Sequence, residues 1–229
     1  MSQEETKEEN RLEKLEKLVK KIENKGNANR ARHLVRNLDK AYRDGNLDIS
    51  SMEENYPGIA QTIQYLNSDD KENFTFDKKG GGWGLYEKLI TGAHYGDKAL
   101  WFSVIGGDAN VIGYESGWHS TYKDRAKASG IKAGWFSTFL DKAQASGEEA
   151  GWGSTYKDES QASGGGAGRD STYKDESQAS GEEAGWGSTY KDESQASGGG
   201  AGRDSTYKDE SQASGEEAGW GSTYKDESQ

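Results

Sequence analysis

From about residue 99 to the last residue, the chain repeats every 17 positions. Tryptophans at 83, 101, 118, 135, 152, 186 and 220 mark the beat, and Arg169 and Arg203 hold the two beats that tryptophan misses. A short fixed period constrains a fold more than any single side chain. One such unit cannot bury its own apolar face, so neighbours must stack and a continuous core must run through them. With position 1 at Ala99, Ser116, Ala133, Ala150, Ala167, Ala184, Ala201 and Ala218, the units diverge most at the N-terminal end. Residues 150–183 and 184–217 are identical. The unit ending at Gln229 stops at position 12, an ending expected of a truncated chain as much as of a complete one.

Read by column, position 5 is always Ser, from Ser103 to Ser222, and position 15 is always Gly, from Gly113 to Gly215. Position 7 is Ile105, Tyr122 or Phe139, then Tyr to the end; position 13 is Val111, then Ala. Small and aromatic residues at alternate positions, with a fixed Gly at a corner, predict a narrow β-solenoid of two or three short strands per rung. Rungs rising ~4.8 Å would carry eight units over roughly 38 Å. Positions 5, 7, 11 and 13 are read as the inward set. Arg replaces Trp in the same units where Asp170 and Asp204 replace Gly, so the position 3 column is read as external. Trp101, Trp118, Trp135, Trp152, Arg169, Trp186, Arg203 and Trp220 then form a repeat-surface ladder, with the arginines stacked on neighbouring rings. A helical reading fails, because each interior Gly costs about 1 kcal/mol. Disorder is the alternative for residues 150–229. From Asp141 to Gln229 there is no Val, Ile, Leu, Met or Phe to offset the entropy of ordering.

The run Ala150-Gly151-Trp152-Gly153-Ser154-Thr155, repeated at 184–189 and 218–223, resembles the start of bacterial ice-nucleation repeats. That family's unit is one residue shorter, has Tyr where Trp stands here, and carries a Thr-x-Thr pair absent from this chain. The segment Ala143-Gln144-Ala145-Ser146-Gly147 resembles the β-roll repeats of trimeric autotransporter adhesin heads. Both resemblances are confined to residues 99–229. Both imply stacked β-solenoid rungs, and the first implies a water-organising surface.

The N-terminal part reads differently. Leu12, Leu15, Val19 and Ile22 fall at helical spacing within residues 4–22. Gly26 ends that helix, and Asn27 is placed to cap a second from Ala28 to about Arg43, stopped by Asp44-Gly45. Ser51 with Glu54 has capping-box spacing, and a third helix starts at Pro57 and runs through Ile59, Ile63 and Leu66. Lys78-Lys79-Gly80-Gly81-Gly82 reads as a hinge. The expected class is therefore α+β: a short helical module over 1–79, a Gly hinge and lead-in over 80–98, then eight 17-residue repeats over 99–229, the last incomplete.

The net charge is −11, and residues 1–79 account for −1 of it, with 15 Lys/Arg against 16 Asp/Glu. An acidic repeat region repels phosphate backbones, so nucleic acid is not an expected partner. There is no Cys, hence no disulfide or thiolate metal site. No apolar run is long enough to span a membrane and there is no signal-peptide core, so the chain reads as soluble and, by default, cytoplasmic. His33, His94 and His119 show no metal-ligand spacing, and the glycine run at 80–84 lacks the Lys-Ser/Thr of a phosphate loop. The Asp column from Asp124 to Asp226 has Lys beside nearly every member and reads as solvated charge. No catalytic residue, metal or cofactor is assigned. The function expected is a non-catalytic repetitive surface for interaction, adhesion or spacing, with water or ice organisation as its narrow form and protein or ordered solvent as its partner. The alternatives are a hydrophilin-like disordered protectant, or a cytoplasmic binding protein whose activity lies in the helices. Helix 1 could also serve in oligomerisation.

Overall fold

The computed structural model describes residues 3–76, 81–89 and 92–229. Four helices come first: α1 (Gln3–Lys25), α2 (Ala28–Arg43), α3 (Ser50–Glu53) and α4 (Pro57–Leu66). The Asn27 side chain accepts from Arg30 N–H at 3.0 Å, the N-cap expected from the sequence. Pro57 opens α4, where its missing N–H costs nothing. The capping box at Ser51 and Glu54 does not form. Asp48 reaches the Ser50 N–H at 3.0 Å, one turn earlier, and Ser51 donates to the Asp48 carbonyl. Val19 and Ile22, on the α1 stripe, are buried with Ala31, Val35, Ile59 and Ile63.

A parallel β-solenoid follows, and the disordered alternative for residues 150–229 gives way to it. Among the described residues, two sheets run along it. Sheet A has nine two-residue strands, from Lys88–Leu89 and Val104–Ile105 to Thr223–Tyr224. Sheet B has eight three-residue strands, from Ala93–Tyr95 to Gln212–Ser214. Register is one full rung per step, as in Thr172↔Thr189 and Gln178↔Gln195. Each rung is thus two short strands, at positions 6–7 and 12–14, joined by turns.

Residues 81–89 and 92–98 already form a turn of this solenoid. Gly81 O accepts from Leu100 N–H at 2.8 Å, and Gly84 N–H donates to Trp101 O at 2.8 Å. Of the expected hinge, residues 78–80 lie outside the described residues. Gly81 and Gly82 are packed: a Cβ on Gly81 would fall 2.5 Å from Phe76 Cβ, and one on Gly82 2.2 Å from Leu100 Cδ2.

The inward set is positions 5, 7, 11 and 13, as the columns indicate, joined by the position 1 alanines from Ala99 to Ala201. The aromatic rings at position 7, from Tyr122 through Phe139 to Tyr224, stack 4.7–4.9 Å apart with planes within 9°. This stack replaces an aliphatic core, which the composition cannot supply. Each pair adds ~0.5–1.5 kcal/mol beyond area burial.

The tyrosine hydroxyl decides position 2. Tyr190 Oη donates to Gly185 O at 3.2 Å, and a Cβ on Gly185 would sit 1.8 Å from that oxygen. At position 15 the constraint is backbone instead. A Cβ on Gly181 would fall 2.6 Å from the Gly164 carbonyl oxygen of the rung before. Only glycine allows either approach.

The buried serines at position 5 are matched in both directions. Ser188 Oγ accepts from Ser171 N–H at 3.0 Å and donates to Gly168 O at 3.2 Å. Such a column satisfies buried hydroxyls while tying each rung to the one before it.

Candidate interaction surface

The helices sit against the first rungs. Arg32 of α2 donates from Nε to Phe102 O at 2.8 Å and from Nη2 to Ser103 O at 2.9 Å. Asp39, buried in α2, accepts from Asn67 Nδ2, Arg43 Nη2 and Tyr86 Oη at 2.6–2.8 Å, binding the cap to the first turn. Burial, and then the Asp39 contact, push the Tyr86 phenol up to about 12. Trp83, Trp101 and Phe102 are closed under this cap, and exposure grows along the solenoid until Trp220 is 63% exposed.

The position 3 residues share one column. Trp101, Trp118 and Trp135 stack in parallel at 5.1 and 5.2 Å, and Trp152 meets Trp135 edge-on at 5.0 Å. Beyond that, arginine takes the ring's place. Arg169 lies 4.5 Å from the Trp186 centroid and 5.9 Å from Trp152; Arg203 lies 4.7 Å from Trp220 and 5.7 Å from Trp186. From Trp101 to Trp186 the rings are thus partly covered by their neighbours, while Trp220 stays open to solvent.

The indole N–H groups explain why two residues change together. Trp101 and Trp118 donate to the carbonyls of Glu115 and Lys132 at 2.6 and 2.8 Å. Trp152 and Trp186 instead donate to the Asp170 and Asp204 carboxylates of the next rung, at 2.7 and 2.9 Å. Arg and Asp thus enter as a pair, one covering a neighbouring ring and the other accepting its N–H. The true structural unit of residues 150–229 is two rungs. This signal was in the sequence, as simultaneous changes at positions 3 and 4, but its cause needs stacked rungs to appear.

Position 4 begins as a second stack, Phe102–His119–Phe136, at 5.4 and 5.3 Å. Burial holds the His119 imidazole below its usual range. His119 also lies under the α1–α2 turn, where a Cβ on Gly26 would come within 2.3 Å of it.

The first members of the Asp column bond the backbone of the rung before. Asp124, Asp141 and Asp158 each have positive φ, 58–60°, a conformation Asp tolerates. Asp124 Oδ2 accepts from Gly107 N–H at 2.8 Å and from Lys88 Nζ at 3.1 Å, and Asp141 Oδ2 accepts from Asp124 N–H at 3.1 Å. The Gly107 N–H and then Lys88 hold the Asp124 carboxyl below the usual carboxylate range. Among the described residues, no three His, Cys, Asp or Glu side chains cluster as a metal site.

From residue 155 on, the outward columns on the strands themselves are uncharged and polar. Thr155, Thr172, Thr189 and Thr206 run along sheet A; Gln161, Gln178, Gln195 and Gln212, with Ser163, Ser180, Ser197 and Ser214, run along sheet B. Among the described residues, no helix is long and apolar enough to cross a membrane. No family model, curated protein or solved structure matches this chain.

Proposed function

We propose that this β-solenoid repeat protein is a non-catalytic scaffold presenting in-register polar rows to a partner macromolecule. One observation carries the reading: the Gln and Ser rows of sheet B repeat without a shift in register, Gln161↔Gln178↔Gln195↔Gln212 and Ser163↔Ser180↔Ser197↔Ser214. A partner that matches one rung matches the next, so weak contacts sum along the rod. The tryptophan ladder contributes mainly the charges of Arg169, Arg203, Asp170 and Asp204, because most of its rings stack on one another or on arginine. The tyrosine phenols with raised pKa values line the core, which suits a structural role for them.

The test is a photoreactive residue placed singly at Gln178, Gln195 and Thr172 of the full chain in its source cells. The same discrete adduct from Gln178 and Gln195, one rung apart, is expected, and substituting the other row members with Lys should abolish it. Absence of any discrete adduct from both sheets would sink the scaffold reading. A water-organising role is the narrower version, supported by the single Thr row of sheet A. It predicts inhibition of ice recrystallisation that is lost when those threonines become Lys.

A further inference from the structure

We propose that the groove between the α1–α2 turn and the flank of the solenoid binds a small phosphate monoester, its dianion held by Arg32, Lys25 and the first N–H groups of α2. The groove holds about 390 Å³. Lys25, Asn29 and Arg32 stand on the helical side, and His119, Phe136 and Thr138 on the solenoid side. Among the described residues, no carboxylate lines it.

Three observations point to an anion. First, Arg32 is half-buried and its charge is unbalanced. Its Nε and Nη2 donate to the Phe102 and Ser103 carbonyls at 2.8 and 2.9 Å, with Thr121 Oγ1 at 3.4 Å, which fixes the guanidinium in place. Neutral acceptors do not cancel a full charge, and Arg32 forms no ion pair with any described residue. Burial pulls the guanidinium below its ordinary value, and no carboxylate stands near enough to raise it. Nη1 takes part in none of these bonds and is left to donate. Second, α2 begins at this groove. The Asn27 side chain accepts from Arg30 N–H, while the N–H groups of Ala28 and Asn29 have no acceptor among the described residues. Unmatched N–H groups at the start of a long helix favour an anion. Third, Lys25 adds a second full charge at the same place, exposed and likewise without an ion-pair partner among the described residues.

Charge and shape select the ligand. Two cations and a helix N-terminus match a dianion better than a single carboxylate. The chain as a whole carries −11, so a polyanion that reached beyond the groove would meet repulsion. Phe136 is 50% exposed at the rim, with its ring stacked on His119, and offers apolar surface to the organic part of an ester.

The experiment follows the histidine Cε1–H resonances of the full chain at about pH 7.5, where a monoester is mostly a dianion. His33, His94 and His119 are the histidines, so His119→Gln assigns the signal from the groove and the other two serve as references. Phenyl phosphate is titrated to about 50 mM at constant ionic strength, with benzoate as the single-charge control. The expected result is a saturable shift of the His119 signal with phenyl phosphate and none with benzoate. Lys25→Gln and Asn29→Asp should each weaken binding about threefold or more. Neither should lower the melting temperature by more than about 2 °C, because Lys25 is exposed and Asn29→Asp puts a negative charge in the first turn of α2, which favours the helix. A role confined to holding the cap in place would leave the affinity of both variants unchanged, and that result overturns the proposal. So does the absence of a saturable shift, or an equal response to benzoate. If a variant fails to fold, titration of the unaltered chain decides by itself.

Discussion

Replacing Gly185 with alanine tests whether the glycine corner and the tyrosine stack form one device. Gly185 has φ +63°, and its added Cβ would sit 1.8 Å from Tyr190 Oη and 2.9 Å from Ala179 Cβ. The left-handed backbone costs alanine ~1–2 kcal/mol, and forcing a methyl into a packed core costs ~1–3 kcal/mol. Gly185→Ala should therefore destabilise its region by about 2–5 kcal/mol. Tyr190→Phe alone should cost only about 0.5–1.5 kcal/mol. The Gly185 carbonyl it abandons still accepts from Ser205 Oγ at 3.3 Å. In the double variant the hydroxyl is gone while the backbone strain and the close approach to Ala179 remain, so the two changes should couple by about 1–3 kcal/mol. The assay is urea unfolding of the full chain together with amide hydrogen exchange at residues 184–190, because solenoids can open rung by rung. If the single effects add to within ~0.5 kcal/mol, Gly185 is not conserving space for the phenol and the reasoning fails.

The two-rung unit predicts that a longer deletion is milder than a shorter one. Removing 184–200 sets Arg169 beside Arg203 and Asp170 beside Asp204, and should cost ~1–3 kcal/mol more per remaining rung pair than removing 184–217, which restores the Arg–Trp order; equal denaturation midpoints would contradict it. His119 has its pKa lowered by burial, so the stability it contributes is full above its unfolded value of ~6.5 and declines as pH falls below that, by at most ~1.4 kcal/mol per pH unit. Protonation would add a charge beside Lys25 and Arg32, which line the same groove. Exchange protection of the α1–α2 turn should drop between about pH 7.5 and 5.5 in the parent but not in His119→Phe. The phenols of Tyr156, Tyr173 and Tyr190 are held well above their ordinary value by burial. Stability from them is thus intact below an unfolded pKa of ~10 and falls above it by ~1.4 kcal/mol per pH unit for each tyrosine. Tyr173→Phe should flatten the alkaline slope by one such increment, measured by circular dichroism against pH; an unchanged slope would count against a sealed core.

The sequence exposed its rung because the inward columns are chemically monotonous. Ser at position 5, an aromatic at 7 and Ala at 13 admit few alternatives once stacked, so the pattern is visible without coordinates. Asn27 announced its cap for a similarly local reason: its side chain bonds a backbone group three residues away. Gly at position 2 was different. The column is regular, Gly in every unit from Gly117 on, but the reason lies in a 1.8 Å distance to a phenol five residues on, as at Gly185. The Ser51–Glu54 spacing misled for the opposite reason, since Asp48 offered the same N–H region a nearer acceptor.

What the amino-acid order determined by itself was the period, the strand-and-turn unit and the inward columns, because these follow from local geometry and from which residues can be buried. Tertiary structure alone decided what the surface columns do. Whether a tryptophan face is offered or covered, why Arg and Asp arrive together, and where Arg32 and Thr121 meet all depend on groups brought together by stacking rungs and docking helices. Those groups lie 14 to 89 positions apart in the chain, and no local pattern records their meeting.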